Sequence, residues 1–140
     1  MQRRITYLLD QLDLDPRGVP ASNLVFVRSK RAGELGHRFE ELAAQCWPFH
    51  QAVIDGLGVK VVLCLGRRAT DQVRKQLGTH RLIDSFSENN KRKWSTRVYS
   101  GDETPLVIGV THPSVADWTA SATDPTGLIR QHAKARLAGG

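Results

Sequence analysis

The tetrapeptide Thr111-His112-Pro113-Ser114 follows the apolar run 106–110, and it is the first place in this sequence to look for chemistry. An imidazole gives or takes a proton near neutral pH, and open α/β sheets bind ligands beyond the carboxyl ends of their strands. A residue before proline is confined to extended backbone, so a plain turn role stays open beside the functional one. Asn23 offers a carboxamide that donates and accepts at once, but Asn also commonly serves strand ends and turns. Arg28, Lys30, Arg31 and the basic residues of 89–93 could contact phosphates or lie in solvated loops. His37, His50, His80 and His132 share no metal-ligand spacing, so surface or helix-packing roles are expected, and Trp47 and Phe49 are assigned to the core. Cys46 and Cys64 lack a C-x-x-C partner. That excludes a zinc knuckle or disulfide framework and makes them buried small hydrophobes.

The elements that must position these groups follow from apolar periodicity. Residues 3–14 carry Ile5, Leu8, Leu9 and Leu12 at helical spacing, and Asp15-Pro16 ends that stripe. Residues 19–27 end in Leu24-Val25-Phe26-Val27 and predict a strand feeding a basic loop. Helical spacing over 38–57 contains Pro48, which predicts a kink or a break near 46–49. Residues 60–65 and 106–110 are nearly continuously apolar, as in strands covered on both faces of a parallel sheet. A helix over 67–77, a short strand over 81–86, partial alternation over 94–99 and a last helix opened by Pro125 complete the chain. Strands alternating with helices predict an α/β fold with a parallel sheet flanked by helices.

At 140 residues and 40% hydrophobic content, one domain spanning 1–140 is expected. No apolar run reaches the roughly 20 residues of a membrane span, and the N-terminal residues turn polar too soon for a signal peptide. A soluble cytoplasmic protein without a membrane partner is therefore expected. The 20 Lys and Arg against 14 Asp and Glu give a formal charge of +6, which favours a polyanionic partner.

Three segments then carry a resemblance by their order and spacing. They are Ser22-Asn23-Leu24-Val25-Phe26 with its basic loop, Cys46-Trp47-Pro48-Phe49-His50 leading into Lys60-Val61-Val62-Leu63-Cys64-Leu65-Gly66, and Thr111-His112-Pro113-Ser114. Over residues 19–137 the chain resembles the C-terminal two-thirds of the uracil-DNA glycosylase superfamily. The resemblance implies a three-layer α/β/α sandwich with a mainly parallel central sheet. It also implies a hydrolase of DNA base-excision repair, which flips a base out of DNA and cleaves its N-glycosidic bond with water. Asn23 matches the residue that reads the Watson-Crick edge of uracil. His112 matches the catalytic donor to uracil O2, a contact that strengthens as the leaving base becomes an anion. Pro113 and Ser114 match the DNA-binding loop, with Arg28, Lys30 and Arg31 as candidate phosphate contacts, and Trp118 falls in the loop where the family inserts a wedge. The implied partner is DNA, uracil-containing or single-stranded.

The departures from that pattern bear on activity. The superfamily's water-positioning loop lies well before the Asn-bearing strand, and only 22 residues precede Asn23 here. Asp15-Pro16-Arg17-Gly18 lies too close to Asn23 to be that loop. The strand that normally carries it is central, between the strand leading to Asn23 and 60–65, so its loss implies an altered strand order or an open slot. Of the four cysteines in the iron-sulfur branch only Cys46 has a match, and Val27 stands where a second is expected. No cofactor and no metal are expected. Three readings remain open: a glycosylase-like enzyme of doubtful activity, a non-catalytic nucleic-acid-binding or interaction module, and a translation start further upstream that would restore the enzyme.

Overall fold

Short apolar runs become strands and the more polar segments between them become helices in the computed structural model of the chain. It describes residues 1–27, 30 and 32–139, with the backbone alone at 32 and 33. Arg28 and Arg31 lie outside the described residues. The elements are α1 (Gln2–Gln11), α2 (Arg38–Gly56), β1 (Val61–Leu65), α3 (Arg67–Leu77), β2 (Arg81–Ser87), β3 (Ser95–Ser100), β4 (Leu106–Val110) and α4 (Thr126–Ala138). They fall into two units, Met1–Pro20 with Lys60–Gly140 and Ala21–Val59.

The first unit is an α/β fold around a four-stranded mixed sheet in the order β1-β4-β3-β2. β1 and β4 run parallel with Val61 opposite Leu106 and Leu65 opposite Val110. β3 is antiparallel to both β4 and β2. Parallel pairing is thus the minority, where the sequence had predicted a mainly parallel sheet. The short connection 88–94 can only reverse the chain into a hairpin, whereas a parallel neighbour needs a crossover of a dozen or more residues. Of the neighbouring strands, only β1 and β4 are joined by one.

Every residue of β4 is buried, as its unbroken apolar run predicts. Leu106, Ile108 and Val110 join Val98, Trp118, Leu8 of α1 and Ile129 and Ala133 of α4 in one core cluster. The alternate residues Val107 and Gly109 face α3, because strand side chains alternate between faces. A Cβ on Gly109 would stand 2.5 Å from Thr70 Cγ2, so a glycine there lets α3 approach the sheet closely. β1 departs from its predicted cover on both faces. It lies at one end of the strand order, and Val61, Val62, Leu63 and Leu65 are half-buried. α1 ends at Gln11 rather than 14 because Asp13 takes a φ of 58° and the Leu14 amide turns back to the Leu9 carbonyl at 2.9 Å.

The second unit contains α2 and, among its described residues, no strand. The strand predicted over 19–27 does not form. Pro20 lacks an amide donor, Phe26 and Val27 are 53% and 45% exposed, and the Leu24 carbonyl is held by a side chain rather than by a neighbouring strand. β-Branched and aromatic composition needs a partner strand to become a strand. α2 continues through Pro48 as one helix instead of breaking near 46–49. It buries Phe39, Leu42, Ala43 and Trp47. Phe49 is 54% exposed, contrary to its assignment to the core, and Cys46 is only half-buried while Cys64 is buried.

Candidate functional site

The parallel strands β1 and β4 end side by side, and the Gly66 amide donates to the Val110 carbonyl at 2.8 Å. Gly66 turns the chain into α3 with a φ of 95°, a conformation that suits only glycine. A Cβ at Gly66 would lie 3.9 Å from that of His112, so the imidazole stands at the carboxyl end of the sheet over this turn. That is the end of the sheet at which open α/β folds place their ligands.

The His112 ring is fixed by its own loop. Its Nδ1 lies 2.7 Å from Ser114 Oγ and accepts the Ser114 backbone N–H at 3.2 Å. An amide can only donate, so Nδ1 carries no proton and Nε2 carries it. Among the described residues nothing takes the Nε2 proton, which leaves it as a donor for a ligand.

The loop is held at four carbonyls. The Val115 and Ala116 amides donate to the His112 carbonyl at 3.0 and 3.1 Å, and Trp118 Nε1 donates to the Thr111 carbonyl at 3.1 Å. Arg92 Nη1 donates to the Val115 carbonyl at 2.8 Å, and Arg4 Nη1 donates to the Pro113 carbonyl. Trp118 is fully buried in the core and cannot be the wedge that the loop's position had suggested. Pro113 is likewise fully buried and shapes the loop from beneath, while Ser114 is exposed.

Arg92 is itself anchored. It donates to the Glu88 carboxylate at 2.7 Å from Nε and 3.3 Å from Nη2, and its guanidinium lies 4.2 Å over the Trp94 ring. The Glu88 side chain is 3% exposed and also accepts from Asn90 at 2.9 Å. Burial pushes its carboxyl up, but hydrogen bonds from Arg92 and Asn90 outweigh that and hold it below the usual carboxylate range. The basic stretch 89–93 therefore contributes an internal latch through Asn90 and Arg92, with Lys91 and Lys93 left exposed.

In the second unit Asn23 is exposed and makes no side-chain hydrogen bond among the described residues. Its neighbours are held by His50 of α2, with Nε2 2.9 Å from the Leu24 carbonyl and Nδ1 3.3 Å from Ser22 Oγ. The Phe26 ring meets Phe49 edge-on at 5.3 Å. Lys30 is exposed.

Sequence reasoning found the His-Pro-Ser loop and missed its supports. Arg4, Glu88 and Arg92 carry no local motif, and only the order of strands could have suggested that 88–94 meets 111–115. Among the described residues no three His, Cys, Asp or Glu side chains gather as a metal-ligand set, and no helix is long and apolar enough to cross a membrane. Comparison with protein-family models, with curated proteins and with solved structures found no match to this chain.

Proposed function

We propose that this chain is a uracil-DNA glycosylase-like, nucleic-acid-binding protein in which His112 donates its Nε2 proton to a carbonyl oxygen of a flipped base. One observation carries the reading: two donors from Ser114 face Nδ1, so the outward nitrogen is a fixed hydrogen-bond donor at the carboxyl end of a parallel strand pair. A donor of this kind stabilises the anionic leaving base in the transition state more than the neutral ground state. The resemblance assigns base reading to Asn23, whose exposed carboxamide makes no side-chain hydrogen bond among the described residues. The partner is uracil-containing or single-stranded DNA, as the +6 charge favours.

Hydrolysis also needs water held opposite the leaving base, and His112 cannot do this while gripping it. Among the described residues the hydrogen-bond partners of the His112 ring are the hydroxyl and amide of Ser114 alone, with no carboxylate among them. This favours weak or absent excision, and it is the observation behind the second reading, a non-catalytic nucleic-acid-binding module. Single-turnover assays on uracil-containing single and double strands test both. The expected result is excision at or near background. Any excision that is seen should fall about 100- to 1,000-fold in His112→Ala. Robust excision that survives the substitution would overturn the assignment of His112, and robust excision that it abolishes would overturn the second reading.

A further inference from the structure

The first turn of α1 carries two arginines with different commitments. Arg4 donates to the Pro113 carbonyl and lies 3.7 Å from the Asp117 carboxylate. Arg3 is exposed and, among the described residues, its side chain makes no hydrogen bond or short ion pair. Both line a cleft of about 450 Å³ with Met1, Ser114, Asp117 and Thr119. Ser114 thus borders this cleft on one side and holds the His112 ring on the other.

The lining selects an anion. Two guanidinium groups face one carboxylate, and Asp117 Oδ1 already accepts the Thr119 amide at 3.0 Å and its hydroxyl at 2.7 Å. Those bonds hold the Asp117 carboxyl below its usual range, with smaller contributions from Arg4 and Arg3. The Thr119 hydroxyl directs its proton to Asp117, and the Ser114 hydroxyl faces His112 Nδ1. The side-chain donors left for a ligand are the N–H groups of Arg3 and those of Arg4 that Pro113 and Asp117 do not use. A guanidinium fork matches the oxygens of a phosphate, and the volume is roomier than a lone phosphate requires.

We propose that this cleft binds a backbone phosphodiester of a nucleic-acid strand, with Arg3 as the main ligating cation and Arg4 as the residue that ties the cleft to the His112 loop. It rests on the reading of His112 as a base-side donor: a strand passing the cleft would present a nearby base to the imidazole. Asp117 opposes binding, which yields a signature that a nonspecific basic surface would lack. Neutralising Asp117 should strengthen binding more than neutralising Asp102, a 99% exposed carboxylate in the connection before β4, at the other end of that strand.

The test is fluorescence anisotropy on a short labelled single strand with one uracil, titrated across salt, for the whole chain and for Arg3→Gln, Asp117→Asn, Asp102→Asn and His112→Ala. Arg3→Gln should reduce the slope of log affinity against log salt by about 0.7, the contribution of one phosphate on a single strand. Asp117→Asn should tighten binding about two- to fivefold, with Asp102→Asn close to unchanged. An unchanged slope in Arg3→Gln, equal effects of the two Asp variants, or no binding by the unmodified chain overturns the proposal. Saturation by inorganic phosphate at concentrations below those needed for the strand also overturns it, by assigning the cleft to free phosphate. If Arg3→Gln reduces the slope while His112→Ala leaves affinity for the uracil strand unchanged, the phosphate site stands and the base-donor reading fails.

Discussion

Replacing Arg92 by alanine removes the latch between the 88–94 connection and the His112 loop, and the size of the effect follows from what is left behind. The Glu88 carboxylate, 3% exposed, would keep Asn90 but lose its cationic partner. Removing one member of a fully buried pair costs about 3–5 kcal/mol. The Arg92 side chain is 32% exposed, so water already screens part of the pairing and about 2–3 kcal/mol is the better figure. Loss of the guanidinium from the face of Trp94, itself 45% exposed, adds about 0.5 kcal/mol. Chemical denaturation measures the sum. The orphaned charge can be separated from lost packing by adding Glu88→Gln, which should make the double variant more stable than the two single losses predict. Release of the Val115 carbonyl should also speed amide exchange over 112–116, since local opening is cheapest where anchors are lost. Because pairing holds the Glu88 carboxyl below its usual range, its stabilisation is present above the unfolded-state value and lost as pH falls through the folded one. Arg92→Ala should flatten that acid limb. A loss under about 0.5 kcal/mol with unchanged exchange would refute the latch.

Gly109→Ala should destabilise the fold by about 1–3 kcal/mol, because its Cβ would meet the branched side chain of Thr70 at 2.5 Å while Thr70 Oγ1 is bonded to the Gly66 carbonyl at 2.8 Å. Partial rescue by Thr70→Ala, read by thermal melting, checks the cause. The Cys64 thiol is pushed up to about 12 by burial, so it should resist alkylation at mild alkaline pH until the chain is denatured, whereas half-buried Cys46 should react in the native state. Equal native rates for the two would contradict this. His132 Nε2 lies 2.7 Å from Asp84 Oδ2 and holds that carboxyl below its usual range, again a stabilisation present above the unfolded-state value and lost on acidification. The acid limb of unfolding should shrink in His132→Gln.

What was legible in the sequence was whatever depends on near neighbours. Residues 61–65 and 106–110 announced themselves as strands by unbroken apolar composition, and the stripe Ile5, Leu8, Leu12 announced α1. Residues 19–27 had the same composition as a strand but found no ladder partner among the described residues, and composition alone cannot reveal a missing partner. In the hairpin of β2 and β3 the first was read as a short strand and the second only as partial alternation, and its antiparallel sense depends on the length of the connection 88–94, which outweighed the expectation of parallel pairing. His112 was legible because it follows a strand directly. Its supports were not, because the Arg4 contact with Pro113 joins residues 109 positions apart and Trp118 left the loop surface for the core.

The central claim is that His112 presents a protonated Nε2 to a base. Nitrogen-detected NMR of the imidazole tests it most directly, in the free chain and on titration with a uracil-containing single strand and with the same strand carrying an abasic site. The account predicts an unprotonated Nδ1 throughout and an Nε2 resonance that shifts with the uracil strand but not with the abasic one. A proton on Nδ1, or an Nε2 resonance indifferent to the base, would contradict it.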